Sequence, residues 1–353
     1  MEYMSAKEAA ENWGISQRRV AVLCSEKRIP RATMIGNMWL IPKNSVKPED
    51  GRSLRYVNES KAKPFIKWAG GKSQLLTVFR KFYPSGLGTT IKKYAEPFVG
   101  GGAVLFDILT NYNLNEVYIC DNNSELITTY LVLRDNIDDL IDLLSEYQSV
   151  YLPLSNDLRK SYYYKKRMRF NELKHRNEAD IEIASLFIFL NKTCFNGLYR
   201  VNSKGEFNVP IGAYKNPTIC DEINLLRVSK ILTKVNIETG DYRISRDFID
   251  SDTFVYIDPP YRPLSSTSSF TSYTSNSFND KDQIELSEFV HEISDLGAFI
   301  LASNSDPKNT DPKDNFFDDL YSDMKIERIS ASRMINSDGK GRKRISELLI
   351  RNY

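Results

Sequence analysis

The stretch Thr253-Phe-Val-Tyr-Ile-Asp-Pro-Pro-Tyr261 joins a strand-forming run to an acid, two prolines and an aromatic residue. The apolar, β-branched run Thr253–Ile257 predicts a strand. Proline fixes its own φ and cannot donate to a ladder, so Pro259-Pro260 ends that strand in a rigid turn. Open α/β sheets carry their ligands at such carboxyl ends. Working outward, Lys93–Phe98, Glu116–Cys120 and Ala298–Ala302 read as further strands, each ending in a polar or glycine-rich segment. Helical stretches alternate with them, and that alternation predicts an α/β fold.

The 353 residues suggest about two domains and a small extra module. Apolar residues make up 41% and aromatics 12%, enough for a packed core and against wholesale disorder. No uncharged apolar run reaches membrane-spanning length; Ile183–Leu190, the nearest candidate, is far too short. Cys24, Cys120, Cys194 and Cys220 lack CxxC spacing and read as reduced thiols of a cytosolic protein. His175 and His291 begin no HxE or HExxH pattern, which disfavours a zinc hydrolase or deaminase. No metal is expected.

Residues 1–47 read as a module of their own. A helix over Ser5–Asn12, a turn at Trp13-Gly14-Ile15 and a second helix capped by Ser16 come first. The second helix carries Arg18 and Arg19. Strands at Ala32–Ile35 and Met38–Ile41 then flank Gly36-Asn37. This small winged helix-turn-helix resembles those of excisionase- and MerR-like proteins. DNA contact through Arg18 and Arg19 is one expectation; a folding or protein-contact role is the other. Residues 48–63 are polar and read as a linker.

Asp258 and the Pro259 carbonyl could each accept one N–H of an exocyclic amine. An adenine amino nitrogen is a poor nucleophile because its lone pair is delocalised into the ring. Holding both hydrogens out of the ring plane favours the transition state over the ground state. Pro260 stiffens the turn, and Tyr261 offers a face for a base taken out of its stack. The bland alternative is a rigid turn ending a strand.

A glycine loop, Phe98-Val-Gly-Gly-Gly102, follows the strand that begins at Lys93. Gly100 and Gly102 would let a ligand approach the backbone, though the loop fails the GxGxxG dinucleotide fingerprint. Asp121, about twenty residues on, could take both hydroxyls of a ribose or simply cap a helix. In Phe65-Ile-Lys-Trp-Ala-Gly-Gly-Lys-Ser73, Ile66 stands where a phosphate loop needs its first glycine. Trp68 and Lys72 would instead suit an adenine face and a carboxylate.

The order FxxWxGGK, FVGGG, long insert and DPPY resembles the DNA adenine methyltransferase (Dam) family, from about Pro64 to Tyr353. Asn191–Asn202, Gly205–Pro210, Phe270–Tyr273 and Asn276–Phe278 add family-like strings. The resemblance implies a Rossmann-like, S-adenosylmethionine-dependent fold with a mainly helical target-recognition insert. Its expected bounds are 64–122 and 251–353 for the catalytic part and 123–250 for the insert. Trp68, Lys72, Phe98, Gly100, Gly102, Asp121 and Asp258 match cofactor-contacting positions. Asp258, Pro259, Pro260 and Tyr261 match the catalytic ones. Phe195, Asn196, Leu198, Arg200, Asn202 and Pro210 match a DNA-reading hairpin. Arg suits guanine and Asn suits adenine.

GATC in duplex DNA is the implied target, with N6 of a flipped adenine as acceptor. A monomer or weak dimer in a bacterial or phage cytoplasm is implied too, with a cognate restriction endonuclease as a further candidate partner. The alternatives are a non-catalytic DNA-binding regulator, and an amino-methyltransferase acting on RNA or protein glutamine.

A formal charge of +2 argues against a nucleic-acid binder only when taken as a total. Residues 1–63 carry 12 Lys+Arg against 7 Asp+Glu, residues 159–176 carry 8 against 1, and residues 328–353 carry 7 against 2. Residues 107–147 carry 1 against 9. Phosphate attraction follows local charge, so DNA binding confined to one face is expected, with the acidic stretch in solvent.

Overall fold

A computed structural model describes residues 2–48, 61–177, 180–262, 278–332 and 344–353. Its centre is a seven-stranded sheet in the order β6-β5-β4-β7-β8-β10-β9. The strands are β4 (Lys93–Glu96), β5 (Glu116–Asp121), β6 (Val235–Thr239), β7 (Thr253–Ile257), β8 (Phe299–Ser305), β9 (Lys325–Ser332) and β10 (Arg344–Arg351). The first five are parallel to one another, and β10 joins β8 and β9 antiparallel.

All five residues of β7 are buried because both faces of the sheet are covered. Phe254 and Tyr256 point to one layer, with Phe79, Tyr83 and Tyr94. Val255 and Ile257 point to the other, with Leu286, Phe289 and Ile293. Side chains alternate along a strand, so an unbroken apolar run feeds two cores. Each such burial is worth about 1.5–3 kcal/mol, and a one-residue slip would exchange the two sets.

Helices fill the segment between β5 and β6: α5 (Ser124–Asp135), α6 (Ile137–Tyr151), α7 (Asn156–His175), α8 (Ile181–Thr193) and α9 (Glu222–Leu232). They follow α1 (Ala6–Trp13), α2 (Gln17–Ser25), α3 (Leu76–Phe79) and α4 (Ala103–Asn111). The apolar run in α8 is buried on every side by α5, α6 and α7, which accounts for its uniform hydrophobicity. Among the described residues no helix is long and apolar enough to cross a membrane.

The expected insert boundary needs correction. β6 falls within residues 123–250 yet pairs with β5 as an edge of the central sheet. Its polar alternation, Val235-Asn-Ile-Glu-Thr239, is that of an edge strand rather than a buried one. The helices also share one continuous core with the sheet instead of forming a separate one.

In the N-terminal module, Ser5 and Glu8 form a reciprocal cap on α1, and Gly14 closes that helix at φ 64°. β2 (Thr33–Ile35) and β3 (Met38–Pro42) form the expected ribbon. β1 (Tyr3–Ser5) pairs with β3, a strand too short to read from pattern.

The two arginines at the start of α2 are engaged by α6 rather than held out toward DNA. Arg19 is 3% exposed and bonds Asp142 of α6 at 3.0 Å. Arg18 pairs with Glu146 and Ser16 bonds Asp139 on the same helix. Three acids at spacings of three and four lie on one face of α6 and meet the start of α2. Arg19 is therefore corrected from a DNA contact to an intrachain anchor. Part of the acidic stretch expected in solvent is buried beneath it.

Candidate active site

The site forms where β4, β5 and β7 end. After β7, Asp258 is held from two directions. Lys72 Nζ lies 2.7 Å from each carboxylate oxygen, and Ser303 Oγ of β8 donates to Oδ1 at 2.9 Å. Lys72 is 4% exposed and also bonds the Gly70 carbonyl at 2.7 Å. A carboxylate oxygen has about two acceptor positions. Among the described residues, Oδ1 takes Lys72 and Ser303 and fills both its positions, whereas Oδ2 takes Lys72 and keeps one. Oδ2 is thus the oxygen able to receive an incoming N–H.

The turn is fixed as firmly as its acid. Gln283 of α10 (Asp280–Asp295), itself 1% exposed, donates to the Pro260 carbonyl at 3.0 Å. Asn304 of β8 donates in turn to Gln283 at 3.1 Å. Tyr261 donates to Glu347 of β10 at 3.0 Å, and the Lys72 ammonium sits 4.8 Å from its ring centroid. Gln283, Ser303 and Glu347 carry no motif. They come from β8, α10 and β10, so no local signal announced them.

Glu96 at the end of β4 is 2% exposed and accepts from Tyr94 at 2.7 Å. Burial pushes its carboxyl well above the usual range; the Tyr94 bond opposes this and Asp258's charge adds to it. A carboxyl whose folded pKa is raised is fully stabilising below its unfolded value. That contribution fades as pH rises through the folded pKa. Glu96→Gln is therefore expected to flatten the fall in melting temperature above pH 4.5; an unchanged melting profile across pH would refute this.

The glycine loop lies on the other side. Gly100 N donates to Asp121 Oδ2 at 3.1 Å and Asn123 N to Oδ1 at 2.9 Å, while Tyr130 donates to the Gly100 carbonyl at 3.0 Å. Gly100 has φ 46°, and a Cβ there would lie 2.8 Å from the Trp68 ring. A Cβ on Gly102, at φ 70°, would lie 2.5 Å from the Tyr130 hydroxyl. Both glycines are required by φ and by contact. Phe98 stacks on Tyr242 at 5.3 Å, and Phe278 meets its edge at 6.2 Å. Asp121 also precedes Asn123, which does the helix capping at α5. The capping alternative for Asp121 therefore falls away.

The segment 195–210 is a compact loop rather than a regular hairpin. A 3-10 turn, Phe195–Gly197, and single bridges Cys194↔Ile211 and Val201↔Phe207 hold it. Phe195, Asn196, Arg200 and Pro210 are exposed and Leu198 is half-buried. Phe195 N donates to the Pro210 carbonyl at 2.9 Å, bringing the two together. Arg200 is aligned by Asn208 at 2.8 Å.

Asn202 is different. Its oxygen accepts from Lys204 N and Glu206 N, and its amide donates to Glu206 at 2.8 Å. That closes a tight turn and corrects its expected role as a base-edge contact. Lys67, which carried no expectation, packs on Gly197 and reaches Tyr214 at 3.0 Å. The strings Phe270–Tyr273 and Asn276-Ser277 lie outside the described residues. His175 and His291 bond Glu206 and Asp323, away from Asp258.

A glycine loop, a carboxylate beside it, an aromatic on it and a braced Asp-Pro-Pro-Tyr turn now share one end of the sheet. Residues 68–335 match the family model described as D12 class N6 adenine-specific DNA methyltransferase. The Type II methyltransferase M.MjaIII of Methanocaldococcus jannaschii is 51% identical over 82% of this chain and 99% of its own length. The Type II methyltransferase M1.LlaDCHI of Lactococcus lactis subsp. cremoris is 35% identical over 85% and 99%. The DNA adenine methylase of Escherichia coli K12 is 33% identical over 82% and 95%. This chain belongs to the D12 class of N6 adenine-specific DNA methyltransferases.

Proposed function

We propose that the protein transfers a methyl group from S-adenosylmethionine to N6 of a flipped adenine within GATC in duplex DNA. The observation that carries this is Asp258, with one acceptor position on Oδ2 left open among the described residues, in a turn braced by Gln283 and Glu347. Family membership supports the adenine acceptor. The residues beside Asp258 fit the cofactor. Gly100 and Gly102 tolerate close approach, Asp121 suits ribose hydroxyls, and buried Lys72 suits a carboxylate. When bound, S-adenosylmethionine supplies an electrophilic methyl group on a sulfonium.

The chain's own residues do the rest. Oδ2 of Asp258 and the Pro259 carbonyl accept the two amine hydrogens and turn the nitrogen lone pair toward the methyl group. Ser303 and Lys72 hold the carboxylate so that no reorientation is needed in the transition state. Tyr261 is pinned through Glu347 and offers its ring to the base. Phe195, exposed beside Pro210, fills the gap left in the stack, and Arg200 reads a guanine edge. The names of two relatives support a place beside a restriction endonuclease.

Incubation with S-adenosylmethionine and unmethylated duplex, followed by mapping of modified bases, tests the proposal. N6-methyladenine at GATC is expected; methylation only elsewhere would overturn the specificity. Arg200→Ala should lower discrimination at one base pair by roughly 1–3 kcal/mol. Equal rates on GATC and single-base variants in the parent protein would remove the basis for that reading.

A further inference from the structure

Tyr199 stands between Leu198 and Arg200 in the segment assigned to base reading, but it points the other way. Arg200 is exposed, while Tyr199 is 9% exposed. Its ring stacks on Trp68 at 5.9 Å between centroids with an interplanar angle of 27°. Phe187 closes the same cluster at 5.5 Å. The hydroxyl donates to Glu125 Oε2 at 3.0 Å and accepts from Lys174 at 2.9 Å. Lys174 also pairs with Glu125 Oε1 at 2.7 Å. The phenol is thereby held at both its face and its tip.

These contacts close a circuit around the glycine loop. Trp68 lies against Gly100 and Gly101, where a Cβ would meet it at 2.8 and 2.9 Å. Gly100 N bonds Asp121, Asp121 bonds Asn123 N, and Asn123 caps α5 two residues before Glu125. Glu125 returns the circuit to Tyr199. A backbone shift at Arg200 would carry its neighbour's ring across Trp68 and strain one buried and one half-buried hydrogen bond.

We infer that Tyr199 is a positioning residue coupling the base-reading segment to the cofactor loop, so that duplex and methyl donor strengthen each other's binding. This rests on the proposed roles of Trp68 and Arg200. By linkage the two enhancement factors must be equal.

The test measures S-adenosylhomocysteine affinity by calorimetry with and without an unmethylated GATC duplex, and duplex affinity with and without S-adenosylhomocysteine. Wild type is expected to show the same factor in both directions, of roughly fivefold or more. Tyr199→Leu should bring it within about twofold of unity. Tyr199→Phe, which keeps the stack and loses both hydroxyl bonds, should fall between. If Tyr199→Leu does not fold, Glu125→Leu, which removes the hydroxyl's acceptor, and Lys174→Met, which removes its donor, are each expected to fall between wild type and Tyr199→Phe.

A wild-type factor of one, or undiminished coupling in these variants, would overturn the inference while leaving the proposed reaction intact. A wild-type protein that methylates nothing and binds no S-adenosylhomocysteine would instead overturn the proposed function, and this inference with it.

Discussion

Asp258→Ala is expected to abolish methyl transfer while duplex affinity stays close to that of the parent protein. The carboxylate lies at the end of β7, remote in role from the exposed Phe195 and Arg200 that would touch DNA. Removing one transition-state acceptor from a preorganised site typically costs ~10²–10³ in rate. Here the loss should be larger, because Lys72 is 4% exposed and loses the anion it spans. Asp258→Asn separates the two effects. It keeps the shape and one oxygen but presents an amide N–H₂ to the ammonium, so the oxygen turns toward Lys72. Single-turnover transfer at saturating duplex and cofactor, with binding by fluorescence anisotropy, reads both. Turnover of Asp258→Ala within tenfold of the parent would exclude the assigned mechanism.

The second large effect is expected at Arg19. Arg19 and Asp142 have side chains only 4% and 6% exposed, 3.0 Å apart. Breaking a buried ion pair by removing one partner typically costs about 3–5 kcal/mol, because the other charge stays out of water. Arg19→Ala should loosen the N-terminal module from α6, seen as a separate low-temperature transition in calorimetry. Arg19→Leu with Asp142→Leu should recover most of the loss, since an apolar pair of that volume is often neutral. The same variants separate anchor from DNA contact. A phosphate-binding arginine would flatten the salt dependence of duplex binding by about one unit, whereas an anchor leaves it unchanged.

Much of the site was legible because its signals are local. Asp258-Pro-Pro-Tyr261 needs nothing beyond its own order to end a strand and present an acid. Gly100 and Gly102 announce a loop whose φ values and close contacts the structure then shows. The cap at Ser16 was readable for the same reason, since it satisfies the Arg19 N–H three residues away. Arg19 misled because a basic helix reads alike whether its partner is a phosphate or a carboxylate 123 residues on. Asn202 misled because its amide chemistry suits a base edge and a tight turn equally well.

The charge pattern shows the same division. Residues 159–176 are strongly basic in sequence, yet Arg169 pairs with Glu182 and Lys174 with Glu125. Lys166 sits over Tyr147 at 3.8 Å and Arg167 over Tyr164 at 4.6 Å. Lys160 and Lys165 remain exposed on that helix.

By itself the sequence determined an α/β sheet, the turn that carries the reactive acid, and the glycine loop beside it. Those features depend on backbone chemistry within a few residues. Only the tertiary structure decided what braces the acid, which cations are spent inside the protein, and that β6 belongs to the sheet. It also decided that Tyr199 turns inward onto Trp68 while Arg200 faces out. The physical reason is the same in each case: the partner lies far along the chain, and burial settles which of several chemically suitable partners a side chain meets.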